Sequence, residues 1–382
     1  MENKIEQVNN YQAKPDDLEK VNWQERINKY FRGEMHTHSV LSDEYNREAG
    51  LDNKEKAHRI ERVLDFYAKQ GLEFAVITEH GSDPGNPRQL KADDHICRLL
   101  LEQAEELAAR KETSEKGIEA YSSVEASIFF DQDGQAVLDL PPEVLGKMDV
   151  VIASRHVIDR QRESEAIKAS FLTAINNPDV DIIGHPNRHI EFYPHDWAYF
   201  KKYWREDKDL SGALEKMETE KDWDSIKKII GKKDVEDSDD NFIQDSREKF
   251  ISLESDYWRM WEEVLGAMEK KGKVFEINLN SFVPSKNFYQ LLLAQAARLP
   301  NLKFSVSYDF HNLGQLKNIK DKDLQSEEIV GVKSPERNKA YRLLLDLCDL
   351  LEANQIGPDR IINSSKENFI KFLNNKKKSR LR

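Results

Sequence analysis

Six of the ten histidines in this chain fall in short motifs at or just past the ends of apolar runs. In order these are Gly33-Glu-Met-His36-Thr-His38, Ile77-Thr-Glu79-His80, Ser154-Arg-His156, Ile183-Gly-His185-Pro-Asn-Arg188 and Ser307-Tyr-Asp309-Phe-His311, while Val124-Glu125 puts a carboxylate at the equivalent place after another run. Neutral imidazole and carboxylate are the ligands that zinc, manganese and iron(II) accept. His36 and His38 are two apart on a strand, so both rings point to one face and can serve one ion. Asp309 and His311 repeat that spacing with an oxygen and a nitrogen. Glu125 is expected to end its strand and, having two oxygens, to bridge two cations. His80 ranks above Glu79, which alternates with it. Six histidines with two or three acids exceed the needs of one ion, so two or three divalent cations are expected. Such clusters clamp attacking and leaving oxygens and generate hydroxide near neutral pH, which suits phosphoester hydrolysis.

Other residues beside these motifs suit substrate binding. Arg155 and Arg188 offer a planar fork of donors that matches phosphate, with a structural salt bridge as the alternative. His189 and His195 open a charged stretch and could reach substrate. His58 and His95 fall on helical segments and carry no such context.

Strands are needed to place these motifs, and short apolar runs supply them: Gly33–Thr37, Phe74–Thr78, Ile118–Val124, Asp149–Ser154, Val180–Gly184, Lys273–Leu279 and Lys303–Ser307, with Arg360–Ile362 closing the series. Between them lie amphipathic stretches. Tyr257, Trp258, Trp261, Val264, Leu265 and Met268 repeat at helical spacing, as do Ala340, Leu343, Leu344, Leu347 and Leu351, with Ser334 and Pro335 as a start signal for the second stripe. Alternating strands and helices predict a parallel sheet, and seven or eight units predict an α/β TIM-like barrel with its chemistry at the carboxyl ends of the strands. A charged insertion at about 189–252 follows a strand end directly and is expected to overhang the site as a lid or cap, or else to be a surface or oligomer contact. Residues 1–32 read as a polar leader, with a helix over Asp16–Tyr30 expected to pack on the barrel base or on another subunit, and 376–382 as a basic tail.

Bulk properties narrow the function. The chain has 382 residues, 38% hydrophobic and 34% charged, with a formal net charge of −12. That charge argues against a general nucleic-acid binder, which needs a basic surface to displace counterions, and favours a small substrate; with the phosphoester chemistry above, the expected partner is a small phosphorylated metabolite. No apolar run is long enough to span a bilayer, and the first residues lack an apolar signal core. With two cysteines far apart, Cys97 and Cys348, a cytoplasmic location is expected. Oligomeric state is not legible.

As a set, the motifs resemble the PHP (polymerase and histidinol phosphatase) superfamily: His-x-His, Thr-(Asp/Glu)-His, Glu, Ser-x-His, His-Pro and Asp-x-His in that order. Val274-Phe-Glu-Ile-Asn278 and Asp359-Arg-Ile-Ile-Asn363 resemble flanking strands of the family. The resemblance runs from about Gly33 to Leu373, interrupted by the insertion. It implies a distorted (β/α)7 barrel over 33–375 with a di- or trinuclear site and a metal-activated hydroxide that attacks phosphorus. It implies one ion on His36, His38, Glu125 and Asp309, and a second on Glu125, His156 and His185. A third would take His80, His311 and Asp43, where some members place a histidine and this chain has Ser42-Asp43-Glu44. Glu125, His80 and Asp309 are the residues it would assign to catalysis. The implied activity is that of a histidinol-phosphatase-like phosphomonoesterase. The alternatives are a PHP-type nuclease or phosphodiesterase and a non-catalytic metal-binding regulatory protein.

Overall fold

The computed structural model describes residues 23–39, 53–82, 92–113, 118–156, 164–186, 259–279, 286–309 and 339–380. In chain order the elements are α1 (Trp23–Tyr30), β1 (Gly33–Thr37), α2 (Asn53–Lys69), β2 (Phe74–His80), α3 (Asp94–Thr113), β3 (Glu119–Phe130), β4 (Ala136–Leu138), α4 (Pro142–Leu145), β5 (Val150–Arg155), α5 (Ser164–Asn176) and β6 (Ile182–Gly184). Helical residues 259–271 form α6. They are followed by β7 (Val274–Asn278), α7 (Lys286–Ala297), β8 (Lys303–Ser307), α8 (Lys339–Ala353), a 3-10 turn over Pro358–Arg360, and α9 (Lys366–Arg380).

The strands run β1-β2-β3-β5-β6-β7-β8, each parallel to the next, and β4 pairs antiparallel with β3. Parallel strands covered by crossover helices are buried on both faces, and almost every position in them is buried here. β1 and β8 lie against each other, and residues 361–363 lace the seam. Ile361 bridges Phe304, and Ile362 N donates to Phe304 O at 2.8 Å. Asn363 Nδ2 donates to Gly33 O at 2.6 Å and Val306 O at 2.7 Å, so one amide side chain joins the two edge strands. The sheet is a nearly closed barrel, as the strand series predicted.

Strand alternation sorts the side chains. Outward-facing Val124, Ala126, Val151, Ala153, Phe275 and Val306 pack in the main core with Phe171, Trp261, Val264, Leu265, Leu293 and Leu347 from the helices. Inward-facing Met35, Val76, Tyr121, Ile152, Ile182 and Val274 form a separate cluster with Phe369 and Leu373 of α9. Phe369 stacks on Phe74 at 4.3 Å and meets Tyr121 edge-on at 4.8 Å, so α9 closes the barrel at the amino ends of its strands. The opposite end is left for polar groups.

Three boundaries differ from the sequence expectation. The boundary at 32/33 does not mark a structural break, because residues 23–31 pack on the barrel, one of the placements open to the leader. Ile27, Tyr30 and Phe31 join the main core, and Arg26 pairs with Asp349 and Glu352 on α8. The basic run begins inside α9, where buried Lys376 donates to Met148 O, Asp149 O and Asp181 Oδ2, so it is not wholly a solvated tail. Glu125 does not end its strand. β3 continues to Phe130 and turns back through Asp131–Gly134 to pair with β4, so the carboxylate sits mid-strand. The insertion at about 189–252 and the Ser334-Pro335 start signal lie outside the described residues.

Candidate metal centre

A single carboxylate stands at the middle of the polar end of the barrel. Glu125 is fully buried. Its Oε1 lies 2.7 Å from His185 Nε2 and 3.1 Å from His156 Nε2. Its Oε2 lies 3.0 Å from His80 Nδ1, 3.3 Å from His36 Nε2 and 3.5 Å from His38 Nε2. Asp309 Oδ1 approaches the same side, 3.2 Å from His38 Nε2 and 3.7 Å from His36 Nε2. Five rings from β1, β2, β5 and β6 thus divide between the two oxygens of one residue on β3.

Local backbone features bring them there. The register of β1 against β2 slips between Glu34 and Thr37, so β1 carries one extra residue. This bulge keeps Met35 in the inward cluster while still turning His36 and His38 toward Glu125, and it sends Thr37 outward to hydrogen-bond Tyr67. Bulges commonly re-aim side chains in this way beside functional sites. Its loosened amides need acceptors, and Glu34 supplies them. Glu34 Oε1 accepts from Met35 N at 3.0 Å, from His36 N at 2.9 Å and, across the seam, from Tyr308 N at 3.1 Å. Two site residues have left-handed backbone, His185 at φ 21° and Asp309 at φ 55°, a conformation that costs energy in a non-glycine residue and clusters at functional sites. Gly184 precedes the first of them, and a Cβ there would collide with Ser154 Oγ and Ile152.

The electrostatics follow from burial. Desolvation pushes the Glu125 carboxyl up, but His156, His36, His185 and His80 outweigh it and hold the group well below the usual range. Desolvation likewise opposes charge on His36, yet Glu276, Glu125 and Asp309 together raise its pKa well above that of an ordinary imidazole. Burial lifts Glu34 to about 8 and Asp139 to about 6. Asp139 accepts from Ser82 N and Ser127 N, and Ser127 Oγ contacts His156 Nδ1 at 2.9 Å, fixing the far side of that ring.

The donor set fits a divalent cation. Three groups, His36–His38–Asp309, His38–His80–Glu125 and Glu125–His156–His185, each bring their ligand atoms within 4.8 Å of one another. Two buried atoms among them, His36 Nε2 and Glu125 Oε2, have no hydrogen-bond partner, and such orphaned groups call for an ion or water. Mixed nitrogen and oxygen donors suit zinc, manganese and iron(II) alike.

Of the residues singled out from sequence, the structure gathers His36, His38, His80, Glu125, His156, His185 and Asp309. Arg155 ends β5 and is buried next to His156. Asp43, Arg188, His189 and His311 lie outside the described residues. His95 is exposed on α3, apart from the centre, and His58 lies on α2. Sequence reading left out Glu276, which holds His36 Nδ1 at 2.7 Å, as well as Glu34 and Asp139. The Glu-Ile-Asn string was a signal for the first, but its contact is 240 residues away in the chain.

No protein-family model matches the chain. It is 32% identical over 166 residues, 43% of its length, to a probable phosphatase of Caldanaerobacter subterraneus subsp. tengcongensis. It is 31% identical over 156 residues, 41% of its length, to the DNA polymerase/3'-5' exonuclease PolX of Bacillus subtilis, of which 23% is covered. The chain spans about half the length of the curated relatives it first matches, 54% of the Caldanaerobacter protein. Among solved structures it aligns with histidinol phosphate phosphatase from Lactococcus lactis subsp. lactis, complexed with zinc, L-histidinol and phosphate, at TM-score 0.40 and 15% identity over 85% of this chain and 94% of that one.

Proposed function

We propose that this chain is a member of the PHP superfamily and, from that premise, a metal-dependent hydrolase of a small phosphomonoester. The observation that carries this reading is the buried Glu125, each of whose oxygens faces its own group of imidazoles. Two or three divalent ions, zinc, manganese or iron, are expected. Such ions, when bound, supply hydroxide near neutral pH and neutralise charge that develops on phosphoryl oxygens. His36, His38 and Asp309 would hold one ion, His156 and His185 a second, and Glu125 both. His80, with His311 and Asp43, would complete a third.

The chain's own residues do the remaining work. The bulged β1 and the seam through Glu34 fix the ligands before substrate arrives, and such preorganisation supports charge stabilisation in a dry site. Arg155, Arg188 and His189 are assigned to the phosphate and its substituent. The formal charge of −12 favours a small substrate over a polyanion. Histidinol phosphate is the nearest named candidate, and a sugar, nucleotide or amino-alcohol phosphate fits the same chemistry. With two cysteines in no disulfide, a cytoplasmic enzyme is the reading we adopt. Among the described residues no helix is long and apolar enough to cross a membrane.

The test is phosphate release from a broad panel of phosphomonoesters by protein reloaded with manganese or zinc, beside His36→Ala as control. Turnover of at least one member, abolished in the variant, is expected; no turnover of any member sinks the proposal. The similarity to PolX supports a second reading, phosphodiester hydrolysis. Single-strand cleavage that exceeds phosphomonoester turnover and vanishes in His36→Ala would put that reading first.

A further inference from the structure

We propose that Glu276 is a positioning residue that locks His36 in its Nδ1–H tautomer, leaving Nε2 to face a cation. The inference rests on the metal-centre reading above and extends it to a residue that touches no ion.

Glu276 lies on β7 and is fully buried. Its Oε1 contacts His36 Nδ1 at 2.7 Å and accepts from Ser307 Oγ at 2.6 Å. Its Oε2 accepts from the backbone N–H of His185 at 2.5 Å and from Asn278 Nδ2 at 3.3 Å. An ionised carboxylate only accepts, so each of these partners must donate, and the proton on His36 is placed on Nδ1. The other ring nitrogen, Nε2, points at Glu125 and Asp309 and has no hydrogen-bond partner. The same carboxylate steadies His185 through its backbone, at the residue whose φ is 21°. One side chain thus holds a ring on one side of Glu125 and a strained backbone on the other. Carboxylates behind ligating histidines typically tune metal affinity 10–100-fold.

Glutamine in place of Glu276 keeps the volume but offers one acceptor and one double donor. The backbone N–H of His185 cannot reverse, so the amide oxygen should stay with it. The amide NH2 then faces His36 and Ser307. The hydroxyl can turn to accept, and the ring can accept only by moving its proton to Nε2, which removes the ligand. Glu276→Gln should therefore weaken the ion on the His36–His38–Asp309 side and spare the one on His156 and His185.

The experiment is a zinc titration of the full chain against a competing chelator, wild type beside Glu276→Gln, with ring-nitrogen NMR of 15N-histidine-labelled protein. Expected is one ion weakened at least about tenfold, with the His156 and His185 rings still shifted by zinc. Unchanged affinities in a folded variant, or equal weakening of every ion, would overturn the assignment. If the variant does not fold, the wild type decides. Zinc-loaded His36 should show a hydrogen-bonded Nδ1–H and zinc on Nε2, and zinc on Nδ1 would overturn it. A wild type that takes up no zinc would overturn the metal reading and this assignment together. An unaffected Glu276→Gln beside a zinc-binding wild type would overturn this assignment alone.

Discussion

Glu125→Gln should strip the centre of at least one ion while leaving the barrel folded. The two oxygens of Glu125 serve different partners, His185 and His156 on Oε1 and His80, His36 and His38 on Oε2. Glutamine can present an oxygen to only one of these groups. Its NH2 confronts the other, and the negative charge that both share is gone. Removing one partner from a buried, hydrogen-bonded charge cluster costs about 3–5 kcal/mol. At about 1.4 kcal/mol per tenfold change, that corresponds to roughly two to three and a half orders of magnitude in ion affinity. The assay is chelator competition and elemental analysis on matched wild-type and variant preparations, with phosphate release measured on both. Metal content should fall by at least one ion per chain, and activity should not return at saturating manganese. A folded variant with wild-type metal content and affinity would refute the bridging role of Glu125.

Further outcomes follow from the same geometry. Carboxylates hold the His36 pKa well above 6.5, so in metal-free protein a proton occupies the place an ion would take. Metal binding should then release protons, with affinity rising as pH rises toward the folded-state value; calorimetry in buffers of different ionisation enthalpy reads this directly, and no proton release would contradict it. The raised pKa also means that this proton stabilises the metal-free fold fully below about 6.5, and that the stabilisation is lost as pH rises through the higher folded-state value. Thermal denaturation of chelator-treated His36→Gln should lack that component. Phe369→Ala, at the closed end of the barrel, should cost about 3–5 kcal/mol of stability without changing metal affinity, since the ring packs on Phe74 and Tyr121 rather than on the centre; denaturant unfolding and metal titration separate the two effects. Lys376→Ala should be destabilising by about 3–5 kcal/mol, because it leaves Asp181 buried without its cation.

Much of this arrangement is legible in the sequence because it depends on local pattern. Apolar runs of strand length announce the barrel, and a histidine or carboxylate just beyond such a run lands at one end of it. Gly33–Thr37 and Lys303–Ser307 match the expected strands residue for residue. The mid-strand position of Glu125 was missed because β3 runs on through Ala126–Phe130, whose apolar residues belong to a hairpin with β4 rather than to a loop. Asp133-Gly134 was the turn signal for it. The bulge in β1 leaves no trace in spacing, since His-x-His implies one face whether or not an extra residue precedes it. Glu276 and Glu34 were hidden for a different reason. Glu276 acts on His36, while Glu34, besides serving its neighbours Met35 and His36, reaches Tyr308 across the seam; both distant partners are invisible in the chain, where a lone carboxylate within an apolar run looks the same whatever it meets. Lys376 illustrates the converse, since a basic cluster reads as solvated until a buried Asp181 is placed beside it.

The most direct test of the metal centre is the number of ions per chain, by elemental mass spectrometry, on protein purified without chelator or affinity histidines and then reloaded with manganese. The ligand groups around Glu125 predict two to three per chain, with at least one lost in Glu125→Gln. No stable metal after reloading would contradict the account and leave the barrel as a binding or regulatory protein.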